Sequence, residues 1–126
     1  MRRVVITGLG VISPIGNDVN ALWNSIEEGV CGIAPITHFD TSDYKVKLAA
    51  EVKDLDMETY FSKRDLKFND RFTQFARIAS KQAMQDAGFD KEISDADRFG
   101  CIIGSGIGGI ESIELASHTL SERGAS

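Results

Sequence analysis

The stretch that most constrains the fold is residues 98–120, RFGCIIGSGIGGIESIELASHTL. Phe99, Cys101, Ile102 and Ile103 make an apolar run of strand length. Gly104-Ser105-Gly106-Ile107-Gly108-Gly109 follows, four glycines in six residues. Beyond it Ile110, Ile113, Leu115 and Ala116 recur at roughly helical spacing. A buried strand ending in a glycine loop that feeds a helix is the expectation. Glycines accept positive φ and close backbone approach, so such a loop can sit against a ligand or a second chain. Ile107 is the one large side chain among them. It is either core filling or a residue that lines or gates something.

The rest of the chain repeats this alternation. Val4, Val5 and Ile6 form a continuous apolar run ending at Thr7-Gly8, the pattern of a strand covered on both faces. Asn17 or Asp18 is suited to cap a helix, and Val19, Leu22, Trp23 and Ile26 give it one apolar face. Gly29 is placed to stop it. Residues 32–44 read as loop, and 45–52 (KVKLAAEV) as a weak strand. Residues 57–61 fit a helical turn. The clearest helix is 71–87, where Phe68, Phe72, Phe75 and Ala79 begin an apolar stripe that Ala83 and Ala87 continue. Asn69 or Asp70 caps it and Gly88 ends it. Residues 90–97 read as a polar connection and 121–126 as a polar tail. Strand and helix alternate, which makes the chain α/β with part of its sheet parallel.

Composition limits the function. The 126 residues amount to one small domain, and 42% are hydrophobic, enough for a core. The formal charge of −5 argues against a nucleic-acid partner. No apolar run approaches membrane-spanning length, so no membrane role is expected. Arg2 and Arg3 precede an apolar stretch, but Thr7, Gly8 and Gly10 interrupt it, so a first strand is expected and not a leader. Cys31 and Cys101 form no Cys-x-x-Cys, which points to a reducing, cytoplasmic setting. Cys101, inside an apolar strand, is expected to be buried and inert. His38 and His118 lack metal-ligand spacing, so no metal site is expected. No nucleophile–base pair can be assembled from these residues, so no catalytic residue is assigned.

Two patterns remain. Gly104-x-Gly106-x-x-Gly109 matches a dinucleotide loop, but Glu122, near the required acidic position, follows a helix and not a second strand. Lys63, Lys67 and Arg71 recur at four-residue intervals with Arg64 beside them; if helical, they form one basic face diluted by Asp65 and Asp70. Such a face is either an ordinary solvated surface or a site for an acidic partner. On these residues alone a small nucleotide-binding module and a non-catalytic interaction or dimerisation module both stay open.

The segments VVITGLGVISPIGNDVNALWNSIEEG, GIAPITHFDTSDY, FNDRFTQFA and FGCIIGSGIGG, in this order, resemble the N-terminal part of the elongating β-ketoacyl-acyl carrier protein synthases. The resemblance covers essentially the whole chain. It implies a thiolase-like layered α/β fold, of which residues 1–126 would be the N-terminal portion of the first half, and a homodimer. It implies an acyltransferase that joins acyl and malonyl thioesters by decarboxylative Claisen condensation in fatty acid synthesis. No cofactor or metal is implied. The family's cysteine nucleophile, two histidines and lysine match nothing here: Cys31, Cys101, His38 and His118 do not fit those motifs, so the chain alone is expected to be inactive. Ile107, flanked by Gly106 and Gly108, matches the isoleucine that lines and gates the acyl pocket. Lys63, Arg64 and Lys67 match the region that meets the acidic acyl carrier protein.

Overall fold

The computed structural model describes residues 3–89, 93 and 95–125. Its elements are helix α1 (Val19–Glu27), strands β1 (Ile33–Pro35) and β2 (Leu48–Ala50), helices α2 (Lys63–Phe68), α3 (Arg71–Asp86) and α4 (Ile110–Arg123), and short 3-10 turns at Met57–Thr59 and Ala96–Arg98. The chain divides into two units, Met1–Asp56 with Ile78–Glu92, and Met57–Arg77 with Ile93–Ser126. The first half of α3 belongs to the second unit and the second half to the first.

In the first unit, the N-terminal run lies along α3, with no strand beside it among the described residues. Leu9 donates its N–H to Asp86 Oδ2 at 2.8 Å, and Val11 donates to Gln82 Oε1 at 2.9 Å. Gln82 Nε2 in turn donates to the Asn17 carbonyl at 2.7 Å. Backbone amides that a neighbouring strand would satisfy are met by helix side chains, which answers their need for partners. The approach requires small residues. A Cβ added at Gly10 would lie 2.7 Å from the Ala83 nitrogen, and one at Gly8 would lie 2.8 Å from the Ala87 Cβ. The Ala79, Ala83 and Ala87 stripe read from the sequence is therefore the bed for this backbone.

Asp18 caps α1, its carboxylate accepting the Ala21 N–H at 2.8 Å. Gly29, at φ 69°, follows the helix end as expected. β1 and β2 pair antiparallel, with Ile33 opposite Ala50 and Pro35 opposite Leu48. The weak strand at 45–52 is thus present. Residues 33–35, expected as loop, are its partner, and the one sheet among the described residues is antiparallel and not parallel.

Neither long apolar run is a strand. Val4 is 95% exposed and Ile102 is 99% exposed. Residues 4–6 and 99–103 pair with no strand among the described residues. A strand apolar on both faces is stable only inside a sheet with covered faces, and the only sheet described here is the β1–β2 pair. Cys101, expected to be buried, is accordingly exposed. The supposed tail at 121–126 also differs: α4 continues to Arg123, and Gly124 at φ 74° follows it. Of the connection at 90–97, residues 90–92 and 94 lie outside the described residues, and Ala96–Arg98 is a 3-10 turn.

Candidate functional site

Both sequence-derived clusters lie in the second unit, one on α2 and one at the start of α4. Ser62 sets up α2. Its Oγ accepts the Asp65 N–H at 3.1 Å and donates to Asp65 Oδ2 at 2.7 Å. This is a reciprocal cap built from a Ser-x-x-Asp spacing, a signal legible in the sequence. The Ser62 hydroxyl bond first, and Arg77 more weakly, hold the Asp65 carboxyl below its usual range. Arg77 Nη1 stands 3.6 Å from Asp65, and its guanidinium lies 4.7 Å from the centroid of the Phe61 ring.

The basic face is shorter than the four-residue spacing implied. α2 ends at Phe68, Asn69 is extended at φ −118° and ψ 123°, and Arg71 begins a different helix. Lys63, Arg64 and Lys67 are exposed on α2. Arg71 instead covers the Phe75 ring, 5.1 Å from its centroid. Phe68 likewise leaves the α3 stripe, as the last residue of α2, and is 73% exposed. The two acidic residues that seemed to dilute the cluster face elsewhere: Asp65 turns to Ser62 and Arg77, and Asp70 to Ser112.

Sequence reasoning missed Gln74. It is 8% exposed, and its Nε2 donates to the Asn69 carbonyl at 2.6 Å. It satisfies the backbone in the gap between α2 and α3. A lone glutamine among phenylalanines gives no periodic signal for this.

The glycine loop leads into α4 as expected. Gly108 donates its N–H to Ser105 Oγ at 3.0 Å and has φ 82°. Ile107 stands in the turn between them and is 72% exposed, so it is not core filling in this chain. A Cβ added at Gly104 or Gly106 would meet nothing within 4 Å. Gly108 faces Phe72, whose Cζ would lie 3.5 Å from such an atom. At Gly109 an added Cβ would overlap the Asp70 carboxylate, which accepts the Ser112 hydroxyl. The dinucleotide reading loses its framework, because that motif needs a sheet strand ahead of the loop and residues 99–103 form none.

Histidines 38 and 118 each stand beside one carboxylate. His38 lies 3.9 Å from Glu51, and His118 lies 3.5 Å from Glu122. Among the described residues no group of three or more His, Cys, Asp or Glu side chains could hold a metal ion.

The whole chain, residues 1–126, matches the family model described as beta-ketoacyl synthase, N-terminal domain, and belongs to that family. It is 47% identical over 123 residues to 3-oxoacyl-[acyl-carrier-protein] synthase 2 of Staphylococcus aureus (strain COL), covering 98% of this chain and 30% of the relative. It is 44% identical over 123 residues to the protein of the same name from Vibrio cholerae, with the same coverage. Among solved structures it superposes on a beta-ketoacyl synthase from Burkholderia phymatum with a TM-score of 0.78 at 26% identity, covering 97% of this chain and 30% of that one. The ishigamide ketosynthase/chain length factor gives 0.76 at 31% identity, covering 98% and 30%. The fold is thus the ketosynthase, thiolase-like α/β fold expected from the sequence, and the chain spans about 30% of the length of the relatives it matches.

Proposed function

We propose that residues 1–126 are the N-terminal portion of a synthase that extends acyl chains on acyl carrier protein, a cytoplasmic homo-oligomeric acyltransferase of fatty acid synthesis. The observation that carries this reading is the match along the whole chain to relatives named 3-oxoacyl-[acyl-carrier-protein] synthase 2. In the whole enzyme an acyl group held on a cysteine thiol is attacked by the carbanion that malonyl-carrier protein forms on losing carbon dioxide. A carbon–carbon bond forms and the enzyme thiol leaves, giving the 3-oxoacyl product on the carrier. Two histidines stabilise the oxyanion that develops, in a closed site where such contacts are worth most. No residue of the present chain is assigned to that chemistry.

This segment serves substrates. Ile107, projecting from a loop with Gly106 and Gly108 on either side, lines the acyl pocket and limits chain length by bulk. Lys63, Arg64 and Lys67 dock the acidic carrier. Their exposure on one short helix, and the turning away of Asp65 and Asp70, favour that reading. Exposed charge contacts contribute mainly to encounter rate and orientation.

Reversing Lys63, Arg64 and Lys67 to Glu in the whole enzyme tests the docking role. At roughly 0.2–1 kcal/mol per exposed contact, KM for the carrier protein should rise between about threefold and a hundredfold at low salt. The effect should shrink as ionic strength rises. An unchanged KM at low ionic strength would return the patch to an ordinary solvated surface.

A further inference from the structure

The turn that carries Ile107 has one bond of its own, from the Gly108 N–H to Ser105 Oγ at 3.0 Å. Four of the six residues at 104–109 are glycine. Ordering each backbone unit costs on the order of 1–2 kcal/mol, and glycine sits at the upper end. On its N-terminal side an added Cβ at Gly104 or Gly106 would meet open space, so those two positions lean on no neighbour. Apart from Ser105, the fixed points lie on the C-terminal side of Ile107. Gly108 bonds Ser105 Oγ, Ile110 N–H reaches the Gly108 carbonyl at 3.1 Å, and the Ser112 hydroxyl is held by the Asp70 carboxylate.

Asp70 is distant in sequence, 42 residues from Ser112, and is itself anchored. Its carbonyl accepts the Gln74 N–H at 3.1 Å as α3 begins. Buried Gln74 pins the preceding Asn69 carbonyl. The position before α4 is Gly109, which has no side chain to cap the helix, and no side-chain cap bond forms there. A carboxylate at that end is favourable for the 14-residue helix, because exposed N–H groups give it partial positive charge. Gly109 is also the residue whose lack of a Cβ admits that carboxylate.

We propose that Asp70 is a positioning residue for acyl-chain selection: by holding Ser112 at the start of α4, it fixes the turn that presents Ile107. This rests on the reading that Ile107 borders the acyl chain. A fixed Ile107 sets a sharp length limit; a loosened one yields to longer chains. Neither Asp70 nor Ser112 touches substrate in this scheme.

The test uses the whole synthase and three variants, Asp70→Ala, Asp70→Asn and Ser112→Ala, with Ile107→Ala as a reference. Two readouts are taken: hydrogen exchange of the peptide spanning residues 104–113, and kcat/KM across acyl primers of increasing length. Asp70→Ala should speed exchange of that peptide about tenfold or more. It should raise kcat/KM for the longest primers relative to the shortest by about the same factor. Asp70→Asn keeps an oxygen that accepts the Ser112 hydroxyl and should restore both values. Ser112→Ala, which leaves α3 untouched, should follow Asp70→Ala and stands in for it if that variant fails to fold. Unchanged exchange in both Asp70→Ala and Ser112→Ala overturns the anchor. A length profile moved by Ile107→Ala but by neither anchor variant overturns the proposal while leaving the acyl role of Ile107 intact. A profile moved by none of them overturns the acyl role, and the proposal with it. An equal loss at every length would reduce Asp70 to a structural part.

Discussion

At the scale of single residues, exposure separates meanings that spacing leaves together. Ile107 as core filling and Ile107 as a pocket wall are the same letter in the same loop; in this chain the side chain is 72% exposed, so the first does not hold within residues 1–126. Changing an exposed side chain typically moves stability by no more than about 0.5 kcal/mol. Ile107→Phe should therefore leave the melting temperature of this chain nearly unchanged. In the whole enzyme the added bulk meets the acyl chain. Overpacking costs roughly 1–3 kcal/mol, or about one to two powers of ten. Long primers should lose that much kcat/KM and short ones little; an equal loss at every length would remove Ile107 from the pocket. Ser62 gives a second residue-scale expectation. Ser62→Ala removes the α2 cap, worth about 1 kcal/mol, and faster exchange of the α2 amides would report it.

Among elements, the connection between β1 and β2 depends on one carboxylate. Glu51 accepts the Thr37 Oγ1 hydroxyl at 2.7 Å and the Thr37 N–H at 3.1 Å. The Thr37 hydroxyl first, and its backbone N–H second, hold the Glu51 carboxyl below its ordinary value. A depressed carboxyl stabilises the folded state above its unfolded pKa, about 4.3 for Glu. That contribution is lost as pH falls through the lower folded value. Thr37 amide exchange, corrected for its intrinsic pH dependence, should therefore accelerate below about pH 4. Glu51→Gln should be fast throughout and lack the step; a step that survives the substitution would place the titration elsewhere. The α2–α3 break belongs to this scale as well. The extended Asn69 breaks the chain between Lys67 and Arg71 and turns an apparent nine-residue basic stripe into a compact patch on α2.

For the whole molecule, surface is the governing quantity. The chain exposes 10650 Å², against roughly 6,600 Å² for a folded monomer of 13.7 kDa. Val4, Ile6, Phe68 and Ile102 are each more than two-thirds exposed. Large apolar side chains exposed to this degree favour association, so the isolated chain should self-associate, in part by exchanging elements between copies. Sedimentation showing a cooperatively unfolding monomer at high concentration would contradict this. The same chain should release no carbon dioxide from malonyl-carrier protein, since none of its side chains is assigned to the chemistry. Steady release that depended on this chain alone would defeat that assignment.

The sequence by itself determined α1, α3 and the family. α1 and α3 depend on local spacing and on neighbours such as Asp18 and Gly88, which periodicity exposes. The ordered segments that carry the family resemblance are likewise written along the chain. Tertiary structure alone decided the rest. The apolar runs at 4–6 and 99–103 spell strands, but a strand is defined by its partner, and pairing is a long-range property that no local pattern contains. Whether Ile107 and Cys101 face protein or solvent depends on that same packing. The joining of Asp70 to Ser112 lies wholly on this side. Each residue reads alone as a loop acid or a helix serine, and only folding brings them together across 42 positions.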